Sequence, residues 1–63
     1  MAAVTLQAVK VRAAEMAALE ARDWLIYGLA KAELEELVAD EMFNPWDFVA
    51  ACKAEGVDWK GAF

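Results

Sequence analysis

From Thr5 to Asp40 the chain holds one glycine, Gly28, and no proline, and nearly every residue is a good helix former: Ala, Leu, Glu, Lys, Arg or Met. An uninterrupted run of this kind leaves little choice but helix. Thr5 is the expected N-cap, because its hydroxyl can accept from a free backbone N–H of the first turn. The remaining strong breakers come late, at Pro45, Gly56 and Gly61.

A seam with alternate spacings of three and four runs through Leu6, Val9, Ala13 and Met16, fails at Glu20 and Asp23, and resumes at Tyr27, Ala30, Leu34 and Leu37. Two adjacent acidic failures are what a seam shows where it stops and restarts, so two helices are expected to meet near Ala21 to Asp23, with Asp23 capping the second. A single bent helix of about 36 residues is the competing reading, about 54 Å long at 1.5 Å per residue. The hairpin is preferred because a lone long helix leaves more apolar surface bare.

The stretch Trp24-Leu25-Ile26-Tyr27-Gly28-Leu29 is apolar all round the helix and needs cover on more than one side. A hairpin partner supplies one wall, and the C-terminal segment or a second subunit must supply the other. Gly28 is expected to let another backbone approach, or to act as a hinge.

After Met42 and Phe43, Asn44-Pro45-Trp46-Asp47 reads as a helix start, with Asn44 as N-cap, Pro45 at the first helical position and Asp47 near the positive helix end. This third helix is expected to end at Gly56, with Val57 making the hydrophobic contact that accompanies a glycine C-cap. Phe48, Val49 and Cys52 fall on its buried face. The tail has no periodicity, but Trp59 and Phe63 are costly to leave in water, so it should dock on the chain's own core or on a partner. The expected fold is all-α: a helical hairpin of about 5–21 and 24–42, a short helix at 45–55 and an ordered aromatic tail at 57–63, one domain completed by oligomerisation or by a partner.

Composition narrows the chemistry. The 63 residues include no His and no Ser, and one each of Thr, Tyr, Cys, Asn and Gln. Without an imidazole there is no Ser/His/Asp or Cys/His relay, and one thiol cannot make a zinc site. No catalytic residue, metal or cofactor is expected, and general acid-base work would rest on Asp or Glu alone. Although 62% of the chain counts as hydrophobic, 15 of those residues are alanine. A domain this short with no disulfide or metal staple has a marginal core, which makes self-association or a partner a natural source of stability.

The net charge of −5 is unevenly placed: residues 1–31 carry four basic and three acidic side chains, +1, and residues 32–63 carry two and eight, −6. An acidic surface is repelled by phosphate backbones and anionic lipids, so a basic protein partner is expected rather than nucleic acid or membrane. No apolar run approaches the ~20 residues of a membrane span. Lys10 and Arg12 precede the first acid, Glu15, but the lack of Ser and of an apolar h-region argues against targeting. The single Cys fits a reducing compartment, so an intracellular, cytoplasmic location is expected.

Four features compete for function. Glu33, Glu36 and Asp40 fall within about 60° on a helical wheel, flanked by Glu35 and Glu41. They form either a solvated face or a patch that imitates phosphate spacing; divalent-ion binding is disfavoured because such ions want converging loop oxygens. Cys52 lies near the end of its helix, where the dipole disfavours a thiolate, so it is expected to be a buried small hydrophobe. Among the aromatic residues, Trp24 and Phe48 are assigned to the core, and Phe43, Trp46, Trp59 and Phe63 to partner binding, Trp being enriched at hot spots. The alanines of the first helix suit close helix packing, or simply favour helix.

No motif is specific enough to point to a family. The leading expectation is a non-enzymatic protein-protein interaction module, oligomeric, docking an apolar and aromatic surface while its acidic face steers it to a basic partner. Its economy suits a phage-type inhibitor of a host factor or a minor assembly subunit. The alternative is an acidic decoy that presents Glu33, Glu36 and Asp40 in place of nucleic-acid phosphates.

Overall fold

The computed structural model describes residues 1–63, which form three helices and no strands: α1 (Ala3–Ala21), α2 (Trp24–Ala39) and α3 (Pro45–Glu55). Both α2 and α3 pack against α1, which is the central element. The core joins Ala8, Val9 and Val11 of α1 to Leu34 of α2 and to Phe48 and Cys52 of α3.

The chain turns at Arg22 and Asp23, so the hairpin is formed and the single long helix is not. Arg22 takes the left-handed conformation, φ 58°, its N–H donating to Leu19 O at 3.1 Å while Asp23 N donates to Ala18 O at 2.9 Å. This is the glycine-type helix stop made without glycine, at the conformational cost a side chain incurs there. Asp23 then caps α2, accepting from Ile26 N at 3.2 Å. The same stop ends α3 with its usual residue: Gly56 has φ 70°, and Val57 N donates to Cys52 O at 2.8 Å while Val57 packs on the core. Asn44 caps α3, its side chain accepting from Trp46 N and Asp47 N at 3.0 and 3.1 Å.

Two helix bounds differ from expectation. Helix α1 starts at Ala3, and Thr5 is not its cap: the Thr5 hydroxyl is buried and accepts from Asn44 N at 3.0 Å, tying the first turn of α1 to the start of α3. Helix α2 ends at Ala39 rather than 42, because Asp40 turns extended and its carboxylate accepts from Met42 N at 2.8 Å, a local bond that competes with the helical one. The early stop lets Phe43 swing inward onto Phe48, ring centroids 5.5 Å apart.

The second half of the expected seam holds, with Leu34 buried and Tyr27, Ala30 and Leu37 half-buried. The first half holds in part: Val9 is buried and Ala13 and Met16 are half-buried, but Leu6 is exposed, and the most deeply buried line of α1 also takes in Thr5, Ala8, Arg12 and Glu15, with Val11 and Ala18 beside it. A count of apolar letters misses this line because two of its members carry charge.

Those two charges hold the tail. Arg12 Nε donates to Asp58 O at 2.7 Å, Nη2 donates to Lys60 O at 2.8 Å, and Nη1 pairs with Glu15 Oε2 at 3.2 Å, all with the Arg12 and Glu15 side chains almost fully buried. Glu15 Oε1 has no hydrogen-bond partner. The tail thus docks on its own chain: Trp59 and Ala62 pack on the core, and the Phe63 ring meets Phe43 and Phe48 at 5.9 and 5.7 Å between centroids.

Candidate functional site

Helix α2 touches the rest of the molecule along one side only. Leu34 is buried, and Tyr27, Ala30, Leu37 and Val38 are half-buried on that side. At 100° per residue the opposite side carries Leu25, Gly28, Leu29 and Ala32, then Glu33 and Glu36, all exposed. Leu25 is 73% exposed and Leu29 61%, with Trp24 at 61% and Ile26 also in solvent. Four large apolar side chains within two turns form a patch far denser than the scattered single residues of an ordinary surface. Leu19, near the end of α1, is exposed close to the same tip.

Trp24 is therefore not a core residue, which corrects the assignment from sequence. As the first residue of α2 it lies beyond the reach of α3 and the tail, and its only aromatic neighbour is Tyr27, edge-on at 6.2 Å. Gly28 does not meet another backbone within the chain: a Cβ built there would find nothing within 4 Å. Phe48 is fully buried.

The four aromatic residues assigned to partner binding have separate fates. Trp46, in the first turn of α3, is 83% exposed and stands clear of the fold. Phe43 is half-buried against the core, and Phe63 turns one face onto Phe43 and Phe48 while the other meets water. Trp59 is half-buried with Lys53 Nζ 5.5 Å and Lys60 Nζ 5.9 Å from its ring, an arrangement that favours the cations without releasing the indole for docking. Trp24, Leu25, Ile26 and Leu29 carried a signal in the sequence as an all-round apolar segment, but not the information that they would remain bare.

Glu33, Glu35, Glu36, Asp40 and Glu41 are all exposed, and none is in a salt bridge. They run from the apolar patch to the end of α2 without converging, and no group of three or more such side chains gathers to hold a metal ion. No helix is long and apolar enough to cross a membrane.

Cys52 is fully buried in α3. Burial raises the thiol above its ordinary range, and the positive charge of Arg12 opposes the rise without cancelling it. Folding thus favours the neutral thiol. The unfolded chain releases that proton first, so stability is unaffected by this group below about pH 8.5 and falls as pH climbs beyond it. Urea unfolding at stepped pH checks this: the advantage of the wild type over Cys52→Ala should be constant to about pH 8.5 and shrink above it. A gap that widens at high pH would mean a stabilised thiolate.

Comparison of the chain with family models, curated proteins and solved structures finds no match. The surface itself must therefore carry the functional reading.

Proposed function

We propose that this protein is a non-enzymatic protein-protein interaction module, and that the outward face of α2 is its principal docking surface. The observation that carries the reading is the exposure of Trp24, Leu25, Ile26 and Leu29 together on a helix whose other side is already satisfied by α1. Aromatic and aliphatic anchors of this kind supply most of the binding energy in interfaces. The exposed acidic residues from Glu33 to Glu41 adjoin the patch, so a partner surface with apolar character next to positive charge is complementary to it. Trp46 offers a second anchor at the α3 start. An inhibitor of a host factor or a minor assembly subunit would need no more than this.

The test is capture from cell extract with the full chain and with Leu25→Asp/Leu29→Asp as bait, at low and at about 1 M salt. Binding that the double variant loses, that persists in salt and that Trp46→Ala weakens less is the expected result. Binding indifferent to the double variant would remove α2 from the account.

The second reading, an acidic decoy, is favoured by the unpaired exposure of Glu33, Glu36 and Asp40. A decoy complex should dissolve steeply with salt and compete with DNA or RNA, which an apolar dock should not.

A further inference from the structure

The tail is held on the helices as a bound peptide is held. We propose that residues 57–63 are a displaceable strap, and that the seat beneath them, Arg12 with the Phe43–Phe48 ring pair, is a docking site for a peptide segment of a partner protein. That segment gives main-chain carbonyls to the guanidinium and an aromatic side chain to the two rings. The site is separate from the outward face of α2 and does not depend on it.

The tail's own contacts state the chemistry of the ligand. Arg12 Nε and Nη2 donate to the carbonyls of Asp58 and Lys60 at 2.7 and 2.8 Å, groups that every chain carries and that the guanidinium fork takes two at a time. The Phe63 ring then meets Phe43 and Phe48 edge-on at 5.9 and 5.7 Å, within the range in which aromatic pairs attract. Trp59 and Ala62 add apolar contact. Charge has little part in the hold, because the Asp58 carboxylate turns back to accept from Lys60 N at 3.0 Å and the Lys53 and Lys60 ammonium groups lie over the Trp59 ring. Backbone and ring are what the seat reads.

The hold is incomplete. Phe63 remains 63% exposed although it touches two rings. Glu15 pairs through one oxygen with the same guanidinium that fastens the tail, and no group of the tail donates to its other oxygen, which is buried and unpartnered. A buried acceptor without a donor is a standing cost of the closed arrangement, and lifting the strap relieves it by admitting water to the pair.

The helices are joined without the strap. Asn44 N donates to the Thr5 hydroxyl at 3.0 Å, and Phe48 and Cys52 of α3 share one cluster with Ala8, Val11 and Leu34. The Arg12–Glu15 pair is internal to α1 and survives opening. The strap starts at Gly56, where a left-handed φ of 70° has no side chain to resist a change. Opening therefore bares Arg12 and the ring pair on a three-helix body, and closing makes the tail an internal competitor that lowers the partner's apparent affinity.

Fluorescence anisotropy of a dye-labelled peptide with the sequence of residues 57–63, titrated with the full chain, tests the site. Phe63→Ala should keep its helical circular dichroism, since that ring is mostly in solvent, and should bind the peptide about tenfold more tightly than wild type, whose own ring competes. Phe63→Ala/Arg12→Lys, which keeps a charge for Glu15 but not the fork, should bind it about tenfold more weakly than Phe63→Ala. A peptide carrying Phe63→Ala should bind neither protein. In wild type the Ala62 amide donates to Trp59 O within the closed strap. Its hydrogen exchange should quicken when unlabelled peptide is added at about 1 mM, a measurement that needs no variant and serves if Phe63→Ala fails to fold. Peptide binding that Phe63→Ala lacks, that wild type matches, or that ignores Arg12 or the final ring overturns the proposal, as does Ala62 exchange indifferent to the peptide. None of these outcomes bears on the α2 face, which the Leu25→Asp/Leu29→Asp capture decides.

Discussion

Replacing Arg12 by Met should unfold most of the population at room temperature, a loss of about 3–5 kcal/mol. The whole stability of a chain this size is of order 3–9 kcal/mol at 0.05–0.15 per residue. Arg12 donates to two tail carbonyls, at 2.7 and 2.8 Å, and neutralises Glu15 at 3.2 Å, inside a site that water scarcely reaches. Methionine fills much of the same volume and supplies none of these bonds. Glu15 would then be a buried carboxylate with neither oxygen partnered, since Oε1 already has none, and the tail would lose its fastening. The double variant Arg12→Met/Glu15→Leu should recover most of the loss, because an apolar pair avoids the uncompensated charge. Urea unfolding followed by circular dichroism measures both. A single variant within about 1 kcal/mol of wild type would show that the buried pair is not what holds the tail.

Phe48→Ala should cost about 3–5 kcal/mol, the usual loss for a buried ring. Phe48 is fully buried and touches Phe43 and Phe63 as well as the core face of α1, so its removal opens a void where α3, the loop and the tail meet. Trp46→Ala, two residues earlier on the same helix, should change stability by less than about 0.5 kcal/mol, as expected for an exposed site without special geometry. The contrast is diagnostic: a large loss at Trp46 would make it part of the fold and remove it as an anchor, and a small loss at Phe48 would mean that α3 is not fastened through its ring.

Much of the helical plan is legible from local chemistry. Asp23 and Asn44 announce caps because their side-chain oxygens reach the free N–H groups of a helix start, and Gly56 announces a stop because it accepts a left-handed backbone. The stop at Arg22 is less legible, since no side chain advertises that conformation and only the break in the seam at Glu20 and Asp23 indicates it. The end of α2 is not legible, because Asp40, Glu41 and Met42 all tolerate helix and nothing in their order announces the bond from Met42 N to the Asp40 carboxylate or the packing of Phe43 on Phe48 that accompanies it.

The candidate surface is legible in part. Trp24 to Leu29 stood out as a segment in need of two walls, and the structure supplies one, α1. Trp59, Phe63 and Phe43 stood out for the same reason, and the fold satisfies them to differing degrees within the chain. Both groups are apolar and close to a terminus of an element, so nothing in their letters separates the covered from the bare.

Composition and spacing, by themselves, determined that this is a three-helix protein lacking imidazole chemistry, with acidic charge gathered in its second half. Those properties follow from local propensity, capping and counting, which act within a few residues. Only the tertiary structure decided which apolar residues are covered, because burial depends on which side of α1 each segment reaches. Arg12, with three donors at the right depth, fastens the tail to α1, while Trp24, Leu25, Ile26 and Leu29 lie where no segment of the chain covers them and remain in water.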